Sequence, residues 1–159
     1  MRRLAAALLL LSLPLNAHAK DLRNRFGVGF QNQLPPLGAL SLKYWLPTGS
    51  PAVNVAVEGV AAVSVDDNSA DEMFFGGRLL YAFVTEDNMN LYGAAGAGFM
   101  TLGDLQNVRL QPALGVEFFF FGLENLGFVA EVATTLDLGE ATKLFTVSGG
   151  PGIGVHYYF

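Results

Sequence analysis

Ile153-Gly154-Val155-His156-Tyr157-Tyr158-Phe159 decides the fold. Ile153, Val155, Tyr157 and Phe159 share one parity, and Gly154, His156 and Tyr158 share the other. Period two is the repeat of a β-strand, whose successive side chains point to opposite faces. Working back toward the N-terminus, the same alternation predicts eight strands near 24–33, 38–47, 52–63, 72–84, 90–101, 108–121, 126–137 and 144–159. Turn chemistry separates them, as in Pro47-Thr48-Gly49-Ser50-Pro51, Asp66-Asp67-Asn68-Ser69 and Gly122-Leu123-Glu124-Asn125.

Composition narrows the class. The chain has 159 residues, 52% of them hydrophobic, with 19 glycines and no cysteine. Met1-Arg2-Arg3, the apolar run Leu4 to Leu15 and Ala17-His18-Ala19 fit a cleavable signal peptide over residues 1–19. Residues 20–159 then form one β-barrel domain. Without Arg2 and Arg3, seven basic residues face 14 acidic ones, a net charge of −7. Such a chain lacks the basic footprint that nucleic acid requires. The missing cysteines exclude disulfides and thiolate metal sites. After the signal no apolar run approaches the ~18 residues of a spanning helix, and strands cross lipid only as a closed barrel.

The bulky apolar residues set a face for each strand. Phe26, Val28, Phe30, Leu40, Leu42 and Tyr44 point outward on the first two, and the later strands continue the pattern through Leu79, Tyr81, Leu114, Phe128, Val132 and Ile153. Arg25, Lys43, Glu58, Arg78, Arg109, Glu117 and Glu131 then all fall on the opposite face. Buried charge is costly unless paired, so these seven are expected to form an internal ion-pair network. Glu58–Arg78 and Arg109 with Glu117 or Glu131 are the expected pairs. Trp45, Phe74, Leu80, Tyr92, Phe119 and Val129 also take the inward parity.

A soluble barrel would invert this pattern, with apolar residues inside and charges outside. The distribution of aromatics favours a wall facing lipid. Phe26, Tyr44, Tyr81, Phe83, Phe118, Phe120, Phe128, Tyr157 and Phe159 gather at one rim, and Phe30, Phe75, Phe99 and Phe145 at the other. Two aromatic girdles flanking an aliphatic band suit a bilayer.

The chain resembles small bacterial outer-membrane barrels of the OmpA, OmpX, OmpW and opacity-protein type. The resemblance rests on the signal peptide, strand number, face pattern and C-terminal strand. It implies an all-β, eight-stranded antiparallel up-and-down transmembrane barrel in the outer membrane of a Gram-negative bacterium. Ile153, Val155, Tyr157 and Phe159 would be the strand read by the barrel-assembly machinery. The implied surroundings are outer-membrane lipid and lipopolysaccharide, around a monomer. The implied role is envelope-structural or surface-related, with a charged, plugged lumen. The alternative is a narrow channel or transporter for small solutes.

Chemistry is sparse in this reading. Gly93-Ala94-Ala95-Gly96-Ala97-Gly98 and Gly149-Gly150-Pro151-Gly152-Ile153-Gly154 resemble phosphate loops, but no helix follows either. They read instead as small residues that leave room for large neighbours. His156 is the single histidine after residue 19, and Tyr158 stands where the His-x-Ser pattern of the lipid A deacylase has serine. Ser148, on the same face, lies too far along the strand to reach His156. No catalytic residue, metal or cofactor is expected. Asp66, Asp67 and Asp71 read as a solvated acidic loop. Gln33 to Pro36 reads as one of four short external connections.

Overall fold

The computed structural model describes residues 20–35, 38–50, 53–65, 70–139, 142–146 and 151–159. Among them are nine strands and no helix: β1 Phe26–Gln31, β2 Ala39–Trp45, β3 Asn54–Ser64, β4 Glu72–Glu86, β5 Met89–Leu102, β6 Leu105–Phe119, β7 Leu126–Leu138, β8 Lys143–Thr146 and β9 Gly152–Tyr158. From β1 to β7 each strand pairs antiparallel with the next. Both β8 and β9 lie along β7, and β9 pairs with β1 to close the sheet. The architecture is an all-β, eight-stranded, up-and-down antiparallel barrel, with β8 and β9 as two parts of the eighth strand. Proximal denotes the end that carries Asn24 and Phe159; distal denotes the other.

Splitting the last strand corrects the expectation of one run over 144–159. Asp137 faces Lys143 while Glu131 faces Gly152, so six residues along β7 match nine along the chain. Residues 147–150, Val147 and Ser148 included, lie outside the described residues. A smaller irregularity interrupts the β4–β5 ladder between Ala82 and Val84. The wall is also uneven, since β1 and β2 have 6 and 7 residues while β4 and β6 have 15 each.

The alternation in sequence becomes an alternation in burial. On the outer wall Phe26, Val28, Phe30, Leu40, Leu42, Leu79, Tyr81, Leu114, Val132 and Ile153 are all exposed. Register aligns them into rows: Phe30 faces Leu40, Ala61 faces Phe75, and Phe75 faces Phe99. At the proximal rim Phe118, Phe120 and Phe128 form a cluster with ring centroids 5.2–5.8 Å apart. Tyr157 and Phe159 pack edge-on at 5.1 Å nearby.

Inside, two apolar groups lie toward the ends. The proximal group contains Trp45, Leu80, Tyr92, Phe119, Val129 and Tyr158. Leu22, from the segment before β1, is fully buried among them. That segment reaches across the proximal mouth, where the Lys20 amide donates to the Glu86 carbonyl at 2.8 Å and the Asn24 amide to that of Trp45. The distal group is Ala39, Val60, Ala62 and Phe74, with Leu34 fully buried among them.

Leu34 overturns one expectation. The connection that begins at Gln33 is not an external loop: Gln33, Leu34 and Pro35 are all buried, and the chain turns inward after β1. An apolar half-ring left open at the distal end would expose its surface to water, and Leu34 covers it.

Glycines face the large inward side chains. Gly27 pairs with Tyr158 and Gly115 with Tyr92, and a Cβ at either would sit 2.6 Å from the ring. Gly96 gives room to Arg78, and Gly98 to Phe74. In the run from Gly93 to Gly98, these two glycines accommodate large neighbours on β4.

Candidate functional site: the barrel interior

Between the apolar groups runs a belt of polar side chains placed by strand register. Lys43 on β2, Glu58 on β3 and Arg78 on β4 are consecutive cross-strand partners, so alternating charges stand side by side on the inner face. Six of the seven charged residues expected inside are buried: Lys43, Glu58, Arg78, Arg109, Glu117 and Glu131. Arg25 is not among them. It lies half-buried at the proximal rim and donates to Asn125 Oδ1 at 2.7 Å and to the carbonyls of Tyr158 and Phe159.

The pairings differ in part from the expected ones. Arg78 faces Glu58 at 3.6 Å and also bonds Glu131. Lys43 reaches Glu117 at 3.3 Å. Arg109 meets neither Glu117 nor Glu131, because register sets Asp137 directly opposite it. The Tyr92 hydroxyl donates to Glu131 Oε2 at 2.8 Å, and the Tyr158 hydroxyl to Glu117 Oε1 at 2.6 Å. The two tyrosines therefore join the proximal apolar group to the charged belt. Each carboxylate gains a charge-assisted bond, roughly twice as strong as a neutral one.

His156 sits within this belt. Its Nε2 lies 2.8 Å from Ser41 Oγ and 3.2 Å from Glu58 Oε1, and its Nδ1 lies 3.7 Å from Glu117 Oε1. Serine, histidine and carboxylate are the parts of a nucleophilic triad. Here, however, the Ser41 hydroxyl donates to Glu58 at 2.5 Å, and all four side chains are buried. The arrangement is a buried hydrogen-bond cluster centred on Ser41, Glu58 and the Nε2 of His156.

Ser41 lies on a different strand from His156, so no serine spaced along the histidine's own strand points to it. The two meet across β1, where Gly29 faces Ser41 on one side and His156 on the other. A glycine at Gly29 lets the flanking side chains approach over the strand between them. That signal is visible only once the first and last strands are taken as neighbours.

A second polar group occupies the distal end beside Leu34. Arg109 binds Asp137 and donates through Nη1 to the Leu34 carbonyl at 3.2 Å. Gln111 donates through Nε2 to the Gln33 carbonyl at 2.8 Å and to Thr135 Oγ1 at 3.1 Å. These bonds satisfy main-chain acceptors carried inside by the turn, which would otherwise cost heavily. Beside them lies a cavity of about 390 Å³, lined chiefly by β6, β7 and the inward turn.

Outside the wall, hydrogen bonds from Arg23 hold the Asp21 carboxyl below its ordinary range. The pair is exposed, and such pairs contribute little to stability. Asp66 and Asp67 lie outside the described residues, and no cluster of three metal-ligating side chains occurs among the described ones. No protein-family model, curated protein or solved structure matches this chain.

Proposed function

We propose that the chain is an integral outer-membrane barrel with a plugged, charge-paired interior and an envelope-structural or surface role. One observation carries the reading: large apolar side chains cover the outer wall while Lys43, Glu58, Arg78, Arg109, Glu117 and Glu131 are enclosed. A barrel in water would be expected to present the reverse. Exposed apolar patches beyond a few hundred Å² mark membrane or partner surfaces, and a closed sheet leaves no backbone edge unpaired in hydrocarbon. The aromatic cluster at Phe118, Phe120 and Phe128 supports placement of the proximal rim at a lipid–water interface.

Paired charges and the buried Leu22 and Leu34 support a filled interior over a solute path. The buried charges stand in partnered form, which leaves no unpaired charged ring among the described residues to select ions.

Phase partition and planar-bilayer recording test this together. The refolded protein is expected to enter the detergent phase, to insert into bilayers and to stay electrically silent, with Arg78→Ala equally silent. Recovery in the aqueous phase would overturn the membrane reading. Discrete openings that change in selectivity with Arg78→Ala would replace the plugged barrel by a narrow channel.

A further inference from the structure

We propose that His156 is held as an imidazolium cation inside the closed barrel and serves as a proton-dependent latch on the last strand. From β9 its ring reaches Ser41 on β2, Glu58 on β3 and Glu117 on β6. Donors and acceptors around the ring fix its hydrogens. The Ser41 hydroxyl gives its one hydrogen to Glu58 Oε1, so Ser41 Oγ meets Nε2 at 2.8 Å as an acceptor. Glu58 Oε1, 3.2 Å from the same nitrogen, is an acceptor as well. Nε2 therefore carries a hydrogen. On the other side of the ring, Nδ1 faces Glu117 Oε1 at 3.7 Å. That oxygen already accepts from Lys43 Nζ and from the Tyr158 hydroxyl, and it has nothing to donate. A bare Nδ1 would set a lone pair against a buried carboxylate, whereas a second N–H turns the same approach into attraction.

The balance of charge points the same way. The ion pairs Lys43–Glu117, Arg78–Glu58 and Arg78–Glu131 join two cations to three carboxylates, all of them buried. Arg109 and Asp137 balance one another separately. Tyr92 and Tyr158 donate their hydroxyl hydrogens to Glu131 and Glu117 and add no charge. With a neutral ring the group holds one negative charge in excess; with an imidazolium it holds three charges of each sign. A carboxyl hydrogen would serve less well. On Glu117 Oε2 or Glu131 Oε1, the oxygens not already accepting, it would find no partner among the described residues. On Glu58 it would weaken the attraction to the Arg78 guanidinium 3.6 Å away. Enclosed charge is costly unless paired, and His156 stands between Glu58 and Glu117. Gly29 on β1 separates Ser41 from His156, so the cation ties across the seam where the first and last strands meet.

The latch belongs to the interior and is independent of the medium around the wall. The test uses the full chain refolded in detergent micelles, with His18→Gln so that every imidazole signal belongs to His156. Nitrogen-15 spectra near neutral pH should show a hydrogen on both ring nitrogens. Urea unfolding then compares this chain with one that also carries His156→Gln, whose side chain is uncharged but keeps an N–H donor. As the pH rises, the folded form should hold its extra proton after the unfolded chain has released it. The advantage of histidine over glutamine is therefore largest in mild acid and shrinks with rising pH. The slope should approach about tenfold in the folding constant per pH unit, the limit for one bound proton. A histidine that only fills space would keep the same advantage at every pH. The spectrum decides even where His156→Gln fails to fold. One protonated nitrogen near neutral pH, or an advantage that does not change with pH, would overturn the latch.

Discussion

Arg109 and Asp137 meet as a two-bond fork, Nε to Oδ1 and Nη2 to Oδ2, each at 2.7 Å, from facing positions on β6 and β7. The third arm of the guanidinium holds the Leu34 carbonyl. One side chain thus ties the wall to the inward turn. Removing Arg109 strands a buried carboxylate and a buried carbonyl together, so Arg109→Ala should cost about 3–5 kcal/mol. Arg109→Lys should recover only part of this, because an ammonium cannot reproduce the fork. Urea unfolding of the refolded protein, cycled against Asp137→Ala, checks both.

Gly29 should tolerate no side chain. A Cβ there would lie 1.9 Å from the Val155 carbonyl oxygen and 2.8 Å from His156 Cα, both fixed by the closing β1–β9 ladder. Gly29→Ala is expected to abolish the compact form on unheated gels. Gly59 has nothing within 4 Å of its Cβ position, so Gly59→Ala should stay within about 0.5 kcal/mol of wild type. Equal behaviour of the two variants would mean that strand closure does not depend on this approach.

Leu34→Ala should destabilise the barrel by about 2–5 kcal/mol, the range for emptying a buried leucine site. Residues Ala39, Val60, Ala62 and Phe74 would line the space left behind. Unfolding midpoints measure the loss, and strand amide shifts far from the distal end should not move.

Leu42 distinguishes lipid from water around the wall. It is exposed between Val28 on β1 and Gly59 on β3, away from either rim. In a bilayer, Leu42→Arg should cost about 2–4 kcal/mol if this position lies near the midplane. In water the same change should be close to neutral. Refolding equilibria measured in lipid vesicles separate the two cases.

Legibility in the sequence followed the range of each interaction. Alternation is local, so the eight strand positions and the inward parity of Trp45, Phe74, Leu80, Tyr92, Phe119 and Val129 were readable from neighbouring residues. Charge parity was readable for the same reason, but partners were not. Arg109 had several acids on its face, and only the β6–β7 register selects Asp137. Ser41 with His156 depends on closure between the chain's two ends. Leu34 was hidden differently: Pro35 and Pro36 announce a turn, and a turn at the end of a strand reads as solvated. What draws it inward is the empty apolar half-ring on β2, β3 and β4, which no local pattern encodes. Arg25 shows the opposite error, since parity carries no weight one residue beyond the strand's start.

Leu22 and Leu34 stand on either side of β1, four residues before Phe26 and three after Gln31. One short strand therefore carries both apolar inserts, one for each end of the barrel. Its pairing with β9 joins residues as distant as Gly27 and Tyr158, the kind of contact that forms late because chain closure must precede it. On this geometry circularisation and drying are one event: the sheet becomes a ring at the step that drives water from within it. Hydrogen exchange should accordingly find the amides of β1 and those flanking Leu22 and Leu34 opening as a single unit.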